Sequence, residues 1–266
     1  MMTREQLAEE FRRIGIRSGD VVVLHSSFKS LGGVEGGAVV VSRAMRDVLG
    51  PSGTLLMPTF TYSLPMWNQP PYDARKSPSR VGAVTEAFRS ESDVVRSNHP
   101  THSVAAAGRL AEDLTRGHRE ATALGSDSPF GRAYRLGAKI LMLGCDQISN
   151  SSIHLCEVLA NLPYNSVAFT PKQNYENAWF INESRQTQVY RLFEIPGCSR
   201  GFGKTEPWLE KLGLMRRVKV GPAKSQLMDA RSFVDGLVAE LKRRPDWLLC
   251  EESDCVICPA RRKVLH

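Results

Sequence analysis

Short apolar runs alternate along the first 165 residues of the chain with segments whose apolar residues recur at helical spacing. Runs of this kind, bounded by glycine, proline or polar turns, are typical of short strands buried on both faces of a sheet. The clearest predicted strands are residues 21–24, 54–57 and 140–143. Helices are predicted around them, the first of which starts at Thr3, where Thr3 and Gln6 form a capping box. This alternation predicts an α/β protein with a layered α/β/α core around a mostly parallel or mixed central sheet.

Beyond Pro163 the pattern predicts a smaller, more antiparallel C-terminal portion. Its predicted elements are strands over residues 186–196 and 216–220, a helix near 206–212 and a last amphipathic helix over about 225–242. The length of the chain suits one large domain or two small ones. We expect residues 1–266 to form a single domain, with a core over 1–165 and the C-terminal portion over 166–266.

The segment after the third predicted strand carries the clearest candidate chemistry. A cluster of loop and N-cap residues leads there into a helix predicted over residues 153–162. On this helix His154 and Glu157 are three positions apart and therefore lie on one polar face. The positive end of a helix favours a neutral imidazole, which can accept a proton, so the pair is a candidate general base. Ordinary surface and helix N-terminal pairs have the same spacing, and the sequence leaves both interpretations open.

The composition is that of an ordinary globular protein, 42% hydrophobic and 24% charged. No apolar run approaches the ~20 residues of a membrane helix, and the N-terminal residues lack the hydrophobic core of a signal peptide. We therefore expect a cytoplasmic protein without membrane contacts. Cys145, Cys156 and Cys198 stand singly in apolar surroundings and are predicted to be reduced, buried thiols.

The formal net charge is +7, and the basic surplus is strongest towards the C-terminus. Basic clusters occur at residues 216–217, 242–244 and 261–263. Such a balance suits a phosphate-bearing partner, either nucleic acid or a phosphorylated cofactor. The chain has no RNA-binding aromatic motif and no zinc-finger spacing, and its basic residues are scattered along predicted helices. Solvated helix faces are therefore favoured over nucleic-acid binding.

Residues 26–37 form a loop of small residues between the first predicted strand and a helix that ends at Leu49. A strand, a small-residue loop and a helix together present backbone N–H groups and a positive helix end to an anion. The loop matches neither the dinucleotide-binding fingerprint nor the phosphate loop of nucleotide-binding proteins. A flexible turn without a ligand is the alternative.

A proline-rich loop over residues 63–79 follows the second predicted strand. That strand ends near Thr59, and hydroxyl residues at the carboxyl end of a buried strand are where α/β proteins place their chemistry. The loop carries four prolines together with Trp67 and Tyr72, and it is long enough to be a substrate-binding lid. His102 enters the next predicted strand and is the second choice for the base.

Three cysteines crowd the C-terminus, where Cys255 and Cys258 have the spacing of a zinc knuckle and Cys250 lies close by. A closed zinc site needs a fourth ligand, such as His266 or a cysteine from elsewhere, and none stands at a usual spacing. We therefore assign no metal ligands and expect three thiols in a C-terminal tail. A zinc site is the alternative.

An ordered set of short motifs, each of them weak alone, covers about residues 3–165. The motifs are His25-Ser26-Ser27, Leu31-Gly32, Glu35-Gly36-Gly37, Gly50-Pro51, Gly53-Thr54-Leu55, Met57-Pro58-Thr59-Phe60, His99-Pro100, Ser128-Pro129, Leu143-Gly144 and His154 with Glu157. As a set they resemble the aminoglycoside 3-N-acetyltransferase family, antibiotic acetyltransferases that use acetyl-coenzyme A and lack the GNAT fold. The resemblance implies transfer of acetyl from acetyl-coenzyme A, the co-substrate, to a small-molecule amine. The first-choice acceptor is the 3-N amine of 2-deoxystreptamine in an aminoglycoside, which would give antibiotic resistance.

The resemblance also implies roles for individual residues. Its coenzyme contacts fall on Ser26, Ser27, Leu31, Gly32 and Gly36. Its catalytic pair falls on His154 and Glu157, which agrees with the need to deprotonate an amine before it attacks a thioester. Because Cys156 lies on another side of the helix, a direct transfer between bound substrates is favoured over an acyl-cysteine intermediate.

The residues themselves suggest the rest of the site. Thr59, at a strand end, is a candidate donor to the oxyanion of the tetrahedral intermediate. Trp67 and Tyr72 offer flat faces to a sugar-like ring, and Asp73 offers a carboxylate to an ammonium group. The charge of +7 suits coenzyme A better than a polycationic acceptor. A biosynthetic amine or amino sugar as acceptor, and a non-catalytic coenzyme- or nucleic-acid-binding module, are the alternatives. A homodimer is compatible with the sequence.

Overall fold

A computed structural model describes residues 1–62, 69–166, 177–191 and 196–265 of the chain. The helices in these ranges are α1 (Arg4–Ile14), α2 (Val39–Leu49), α3 (Ala83–Arg89), α4 (Ala111–Thr115), α5 (Pro129–Arg135), α6 (Ser152–Leu159), α7 (Thr205–Lys211), α8 (Ala230–Arg243) and α9 (Ile257–Leu265). The strands are β1 (Val21–Ser26), β2 (Thr54–Pro58), β3 (Val95–Arg96), β4 (Val104–Gly108), β5 (Lys139–Leu143), β6 (Asn177–Ile181), β7 (Thr187–Arg191), β8 (Arg216–Val220) and β9 (Ala223–Asp229).

Seven of these strands form one mixed sheet in the order β3-β4-β2-β1-β5-β9-β8. The central strand β1 is parallel to both β2 and β5. The outer pairings, β2 with β4, β4 with β3, β5 with β9 and β9 with β8, are antiparallel. Strands β6 and β7 form a separate antiparallel pair. The predicted α/β class, with a mixed sheet and a more antiparallel C-terminal portion, is confirmed.

Helices cover both faces of the sheet, which explains the uninterrupted apolar strands. In β1, Val22 and Leu24 face a core that also contains Phe11 of α1 and Met45 of α2. Val23, which points the other way, packs in a core that α5, α6 and α8 complete. Because successive side chains of a strand point to opposite faces, burial of both faces requires apolar residues at every position.

The N-terminal helix begins as predicted. Thr3 Oγ1 accepts a hydrogen bond from the Gln6 amide at 3.3 Å, and Gln6 Oε1 accepts one from the Thr3 amide at 2.9 Å. The helix ends at Gly15, whose φ of 109° is in the left-handed region. Within the ranges given above, no helix is both long and apolar enough to cross a membrane.

Two predictions for the C-terminal portion are wrong. Residues 225–229, predicted as the start of a helix, belong to strand β9, and helix α8 begins only at Ala230 with Asp229 as its N-cap. Leu227 lies opposite Leu141 of β5, so β9 joins the main sheet. The predicted tail is not wholly irregular, because it contains helix α9. The helix predicted over 153–162 ends earlier, at Leu159, and a 3₁₀ turn follows it.

Candidate active site

The predicted site residues gather at one edge of the sheet. Parallel strands β1 and β5 end side by side, with Ser26 opposite Leu143. The chain then turns from β5 into α6, which carries His154 and Glu157. Antiparallel β4 starts beside the end of β2, which brings the residues just before Val104 to the same edge. The carboxyl ends of parallel strands are where open α/β sheets bind ligands.

His154 and Glu157 form a buried pair on the first turns of α6. His154 Nδ1 lies 2.6 Å from Glu157 Oε2, and the two residues are 9% and 3% exposed. A carboxylate can only accept a hydrogen bond, so Nδ1 carries the proton and Nε2 is left with a free lone pair. The geometry therefore orients a neutral imidazole that can take a proton at Nε2.

Two further side chains hold the carboxylate of Glu157. The Tyr164 hydroxyl donates to Glu157 Oε1 at 3.2 Å, and Arg261 Nη1 lies 3.7 Å from the same oxygen. Arg261 is 2% exposed, and its guanidinium lies 4.9 Å from the centre of the Tyr164 ring. Burial and the neighbouring charge of Glu157 raise the pKa of Tyr164 far above its usual range, so the phenol remains a donor. The sequence analysis missed both residues.

His102, the second choice for the base, is also buried at this edge. Its ring lies 4.7 Å from the Phe60 ring and 5.6 Å from the Tyr62 ring, and Nδ1 is 2.8 Å from the Thr101 hydroxyl. Burial, together with repulsion from His154, lowers the pKa of His102 to about 3. His102 is therefore neutral at physiological pH and near enough to His154 to sense its charge.

The oxyanion role predicted for Thr59 has no support in this geometry. Thr59 is fully buried, and its hydroxyl donates to the Ser103 carbonyl oxygen at 3.1 Å. Arg96 Nε donates to the same hydroxyl oxygen at 3.2 Å, and Arg96 Nη2 donates to the Thr59 carbonyl oxygen at 2.7 Å. The single proton of the hydroxyl is thus used within the protein. Thr59 joins β2, β3 and β4 together instead of facing a ligand.

The loop after β1 combines a buried polar atom with tight backbone turns. The Ser26 hydroxyl oxygen is buried and meets no hydrogen-bond partner in the described part of the chain. The Ser27 hydroxyl lies 2.9 Å from the Ser30 hydroxyl, which donates to the Gly144 carbonyl oxygen at 2.8 Å. The end of β1 and the end of β5 are therefore joined directly under the loop.

Glycines give the same loop its shape. Gly32 has a φ of 69° and Gly36 a φ of 80°, both in the left-handed region that other residues avoid. A Cβ on Gly36 would lie 2.8 Å from Val40 Cγ2. The Leu31 side chain is 1% exposed and packs in the core, so only its backbone could meet a ligand.

The predicted acceptor contacts are largely occupied within the protein. Tyr72 is 2% exposed, and its hydroxyl donates to the Ser97 carbonyl oxygen at 2.5 Å, so its ring offers no open face to a sugar. The Asp73 carboxylate accepts from the Arg75 amide at 2.9 Å and from Arg185 Nη1 at 2.8 Å. Both predictions are wrong for this structure, because neither side chain is free for a ligand. Trp67 lies outside the described residues.

Comparison with known proteins agrees with the motifs and the fold. A family model described as aminoglycoside 3-N-acetyltransferase matches residues 23–242. The chain belongs to this family. It is 30% identical to aminoglycoside N(3)-acetyltransferase III of a Salmonella species over 270 residues, which are 91% of this chain and 92% of the relative. The predicted membership of this acetyltransferase family is confirmed.

Solved structures of family enzymes have the same fold. The apoenzyme of aminoglycoside acetyltransferase AAC(3)-IVa has a TM-score of 0.84 and 28% identity, covering 99% of this chain and 97% of its own. A histidine-to-alanine mutant of that enzyme, in complex with a gentamicin, has a TM-score of 0.86 and 27% identity with the same coverage. AAC-IIIb, in a binary complex with CoASH, has a TM-score of 0.79 and 26% identity, covering 91% of this chain and 97% of its own.

Four buried histidines of this acetyltransferase are held neutral. Burial lowers the pKa of His25 to about 4, of His118 to about 4 and of His99 well below its usual value, as it does for His102. His118 has partners on both ring nitrogens, with Nδ1 2.8 Å from the Ser97 hydroxyl and Nε2 donating to the Ala123 carbonyl oxygen at 2.9 Å. In the unfolded chain each would take up a proton near pH 6.5.

We therefore expect the free energy of unfolding to be largest above about pH 6.5 and to fall as the pH is lowered towards 4. Below the unfolded pKa the unfolded chain binds more protons than the folded protein, so each histidine costs up to about 1.4 kcal/mol per pH unit. Denaturant titrations at pH 7.0, 6.0 and 5.0 measure the slope. Replacing His118 with glutamine should reduce it by the contribution of one proton. A slope that is the same in the variant as in the wild type would contradict the assignment.

Proposed function

We propose that this enzyme, acting as a single domain in the cytoplasm, transfers acetyl from acetyl-coenzyme A to the 3-N amine of 2-deoxystreptamine in an aminoglycoside. This reaction would give resistance to the antibiotic. The observation that carries the proposal is the buried His154–Glu157 pair at the ligand-binding edge of a fold shared with aminoglycoside acetyltransferases. The proposed catalytic residues are His154, as the base, and Glu157, which orients it.

The proposed chemistry is a direct acyl transfer. The acceptor amine attacks the thioester carbonyl carbon, a C–N bond forms, and the C–S bond breaks as coenzyme A leaves. His154 Nε2 takes the proton that the amine loses, and Glu157 stabilises the imidazolium that results. The departing thiolate recovers this proton. Burial and the charge of Glu157 raise the pKa of the Cys156 thiol well above its usual value, which argues against an acyl-cysteine intermediate.

The coenzyme contacts proposed are Ser26, Ser27, Gly32 and Gly36, with the backbone of Leu31. A buried hydroxyl oxygen on Ser26 without a partner in the described part of the chain is suited to a ligand that supplies one. Left-handed glycines let a backbone approach a ligand closely. A relative, AAC-IIIb, was crystallised with CoASH. The positive charge of the chain suits the phosphates of the coenzyme.

Replacing Gly32 with valine should weaken acetyl-coenzyme A binding by at least about tenfold, because a side chain would strain the backbone and crowd the loop. The Cβ would lie 3.2 Å from Pro222 Cγ, at a φ of 69°. Gly213 is a matched control, since its φ is 67° and a Cβ added there would meet no described atom within 4 Å. Calorimetry should show near-normal affinity for Gly213→Val. Equal affinity of Gly32→Val and wild type would remove the loop from the coenzyme site.

The acceptor proposed is an amine on a cyclic polyol. Relatives were crystallised with a gentamicin and with apramycin. Trp67 stays a predicted stacking face for its ring. The pairing of Asp73 with Arg185 and the charge of +7 favour one second candidate, a less cationic amino sugar.

Nucleic-acid binding is not proposed. Basic residues at the C-terminus have partners within the protein that account for them: Arg217 pairs with Glu210 at 3.0 Å, and Arg216 donates to the Ile14 carbonyl oxygen at 2.9 Å. A homodimer remains compatible with the sequence.

A thiol-release assay tests the proposed function. The purified enzyme is given acetyl-coenzyme A with one amine at a time, from a panel of 2-deoxystreptamine antibiotics, a mono-amino sugar and an acyclic polyamine. We expect rapid release of coenzyme A with the antibiotics. Release with the amino sugar alone would support the second candidate. No release with any amine, with coenzyme binding intact, would indicate a non-catalytic module.

A further inference from the structure

Four cysteine thiols converge beside the start of helix α9. The sulfur atoms of Cys198, Cys250, Cys255 and Cys258 all lie within 4.8 Å of one another. Cys198 supplies the fourth thiol that the C-terminal spacing lacked, and it comes from a loop before α7. The Sγ atoms of Cys198 and Cys250 are 3.7 Å apart, and none of the four is in a disulfide.

These distances are those of ligands around a single metal ion. A tetrahedral site with Zn–S bonds of about 2.3 Å places its sulfur atoms about 3.8 Å apart. The sulfur atoms would move by less than about 1 Å to reach this geometry. A larger iron–sulfur cluster would hold its thiolates farther apart, because several iron and sulfide ions stand between them. Four thiolates in a compact tetrahedron favour zinc.

Backbone N–H groups point at the sulfur atoms, as they do at zinc knuckles. The Arg200 amide donates to Cys198 Sγ at 3.4 Å, and the Cys258 amide donates to Cys255 Sγ at 3.5 Å. The Cys250 amide donates to Cys258 Sγ at 3.3 Å. Donors of this kind stabilise thiolate over thiol, so a packing role for four neutral thiols does not explain them.

The surroundings also supply positive charge. Zn²⁺ displaces four protons from four thiols, and the product has a net charge of −2. Arg262 Nη2 donates to the Cys250 carbonyl oxygen at 2.9 Å and to the Leu249 carbonyl oxygen at 3.0 Å. Lys204 Nζ donates to the Leu249 carbonyl oxygen at 3.1 Å. Two cations are thus held against the segment that carries the cluster.

We propose that Cys198, Cys250, Cys255 and Cys258 bind one structural Zn²⁺ ion, which fastens the C-terminal segment to the loop before α7. All four coordination positions are filled by sulfur, so the ion has no open position for a substrate. Its role is to fix the start of α9.

The position of this site gives it a consequence for catalysis, which rests on the proposed function. Arg261 follows Cys258 by three residues on α9, and Gly197 immediately precedes Cys198. A Cβ on Gly197 would collide with Arg261 Cζ, so the two zinc-bearing segments enclose the guanidinium. That guanidinium lies against Glu157. Zinc is therefore a positioning element for the carboxylate that orients His154.

Metal analysis of untagged protein, purified without chelators, tests the site independently of activity. We expect about one zinc per chain bound by four sulfur atoms at about 2.3 Å in X-ray absorption. Substitution by Co²⁺ should give the intense visible spectrum of a tetrahedral tetrathiolate. Less than about one-tenth of a zinc per chain, iron in its place or a disulfide among the four cysteines would overturn the proposal.

Variants locate the ion. After dialysis against a chelator, Cys198→Ser should retain less than about one-fifth of the wild-type zinc, because one of four ligands is lost. Cys145→Ser, a half-buried thiol outside the cluster, is the matched control and should keep all of it. Equal retention by both variants would overturn the assignment. If Cys198→Ser does not fold, titration of the wild type with a mercurial should release one zinc as the four thiols react.

Stripping zinc from the wild type should lower kcat and the thermal midpoint while acetyl-coenzyme A still binds, and Zn²⁺ but not Mg²⁺ should restore both. Unchanged kcat in a zinc-free protein would leave the metal site intact as a finding but contradict its link to Glu157. An inactive protein that contains zinc would count against the proposed function and not against the site.

Discussion

Replacing His154 with alanine should reduce turnover by about 10²–10⁴-fold, the usual contribution of a general base, while acetyl-coenzyme A binding is retained. His154 Nδ1 is 2.6 Å from Glu157, so the ring is held with Nε2 as its only proton acceptor. Alanine leaves the amine to lose its proton to water. Steady-state and single-turnover rates with a saturating acceptor, together with circular dichroism of the folded variant, measure the effect.

His102→Asn is the matched control for this experiment. His102 is a buried histidine at the same edge, and it is 8% exposed against 9% for His154. We expect its turnover to fall by less than about tenfold, since its role is to pack against Phe60 and Tyr62. Near-normal turnover in His154→Ala, with a large loss in His102→Asn, would transfer the base to His102.

Replacing Glu157 with glutamine should reduce kcat by about 10²–10⁴-fold, although the two side chains have nearly the same shape. A glutamine amide can donate to Nδ1 of His154, and the ring proton then moves to Nε2, where a base must have none. The substitution also removes the charge that stabilises the imidazolium and leaves Arg261, 3.7 Å from Oε1, without this carboxylate. The rate and its pH profile, measured beside a thermal midpoint, separate the chemical effect from loss of folded protein.

Tyr164→Phe is the control for the Glu157 variant. It removes the hydroxyl that donates to Glu157 Oε1 at 3.2 Å but keeps the contact between His154 and the carboxylate. A loss of less than about tenfold is expected, because one neutral hydrogen bond contributes about 1 kcal/mol. If Glu157→Gln were as active as Tyr164→Phe, the carboxylate would not be the group that orients the base.

Signals confined to a few neighbouring residues could be read from the sequence. The capping box of Thr3 and Gln6 and the pairing of His154 with Glu157 each lie within one helical turn, and their geometry follows from helical spacing alone. The buried strands were visible because burial of both faces demands uninterrupted apolar residues. Strand β9 was missed because Leu227 and Met228 fit the apolar face of a continuing helix as well as they fit a strand.

Features that depend on distant residues could not be read in this way. Arg261 stands in a basic cluster that is typical of a solvated helix face, and only the packing of α9 against Tyr164 shows that it is buried. Cys198 gives no sign that it lies near the C-terminal cysteines. The residue types of Thr59 and Asp73 suited a ligand site, but Arg96 and Arg185 occupy them in the folded protein. A sequence does not show which polar groups are already satisfied.

Mass spectrometry of kanamycin- and gentamicin-type antibiotics after incubation with the enzyme and acetyl-coenzyme A tests the central claim most directly. The account predicts a gain of one acetyl group, located by NMR at the 3-N amine of the 2-deoxystreptamine ring. The product should form with the wild type and be nearly absent with His154→Ala over the same time. If every such antibiotic is unchanged while a small acyclic amine is acetylated, the aminoglycoside acceptor is wrong.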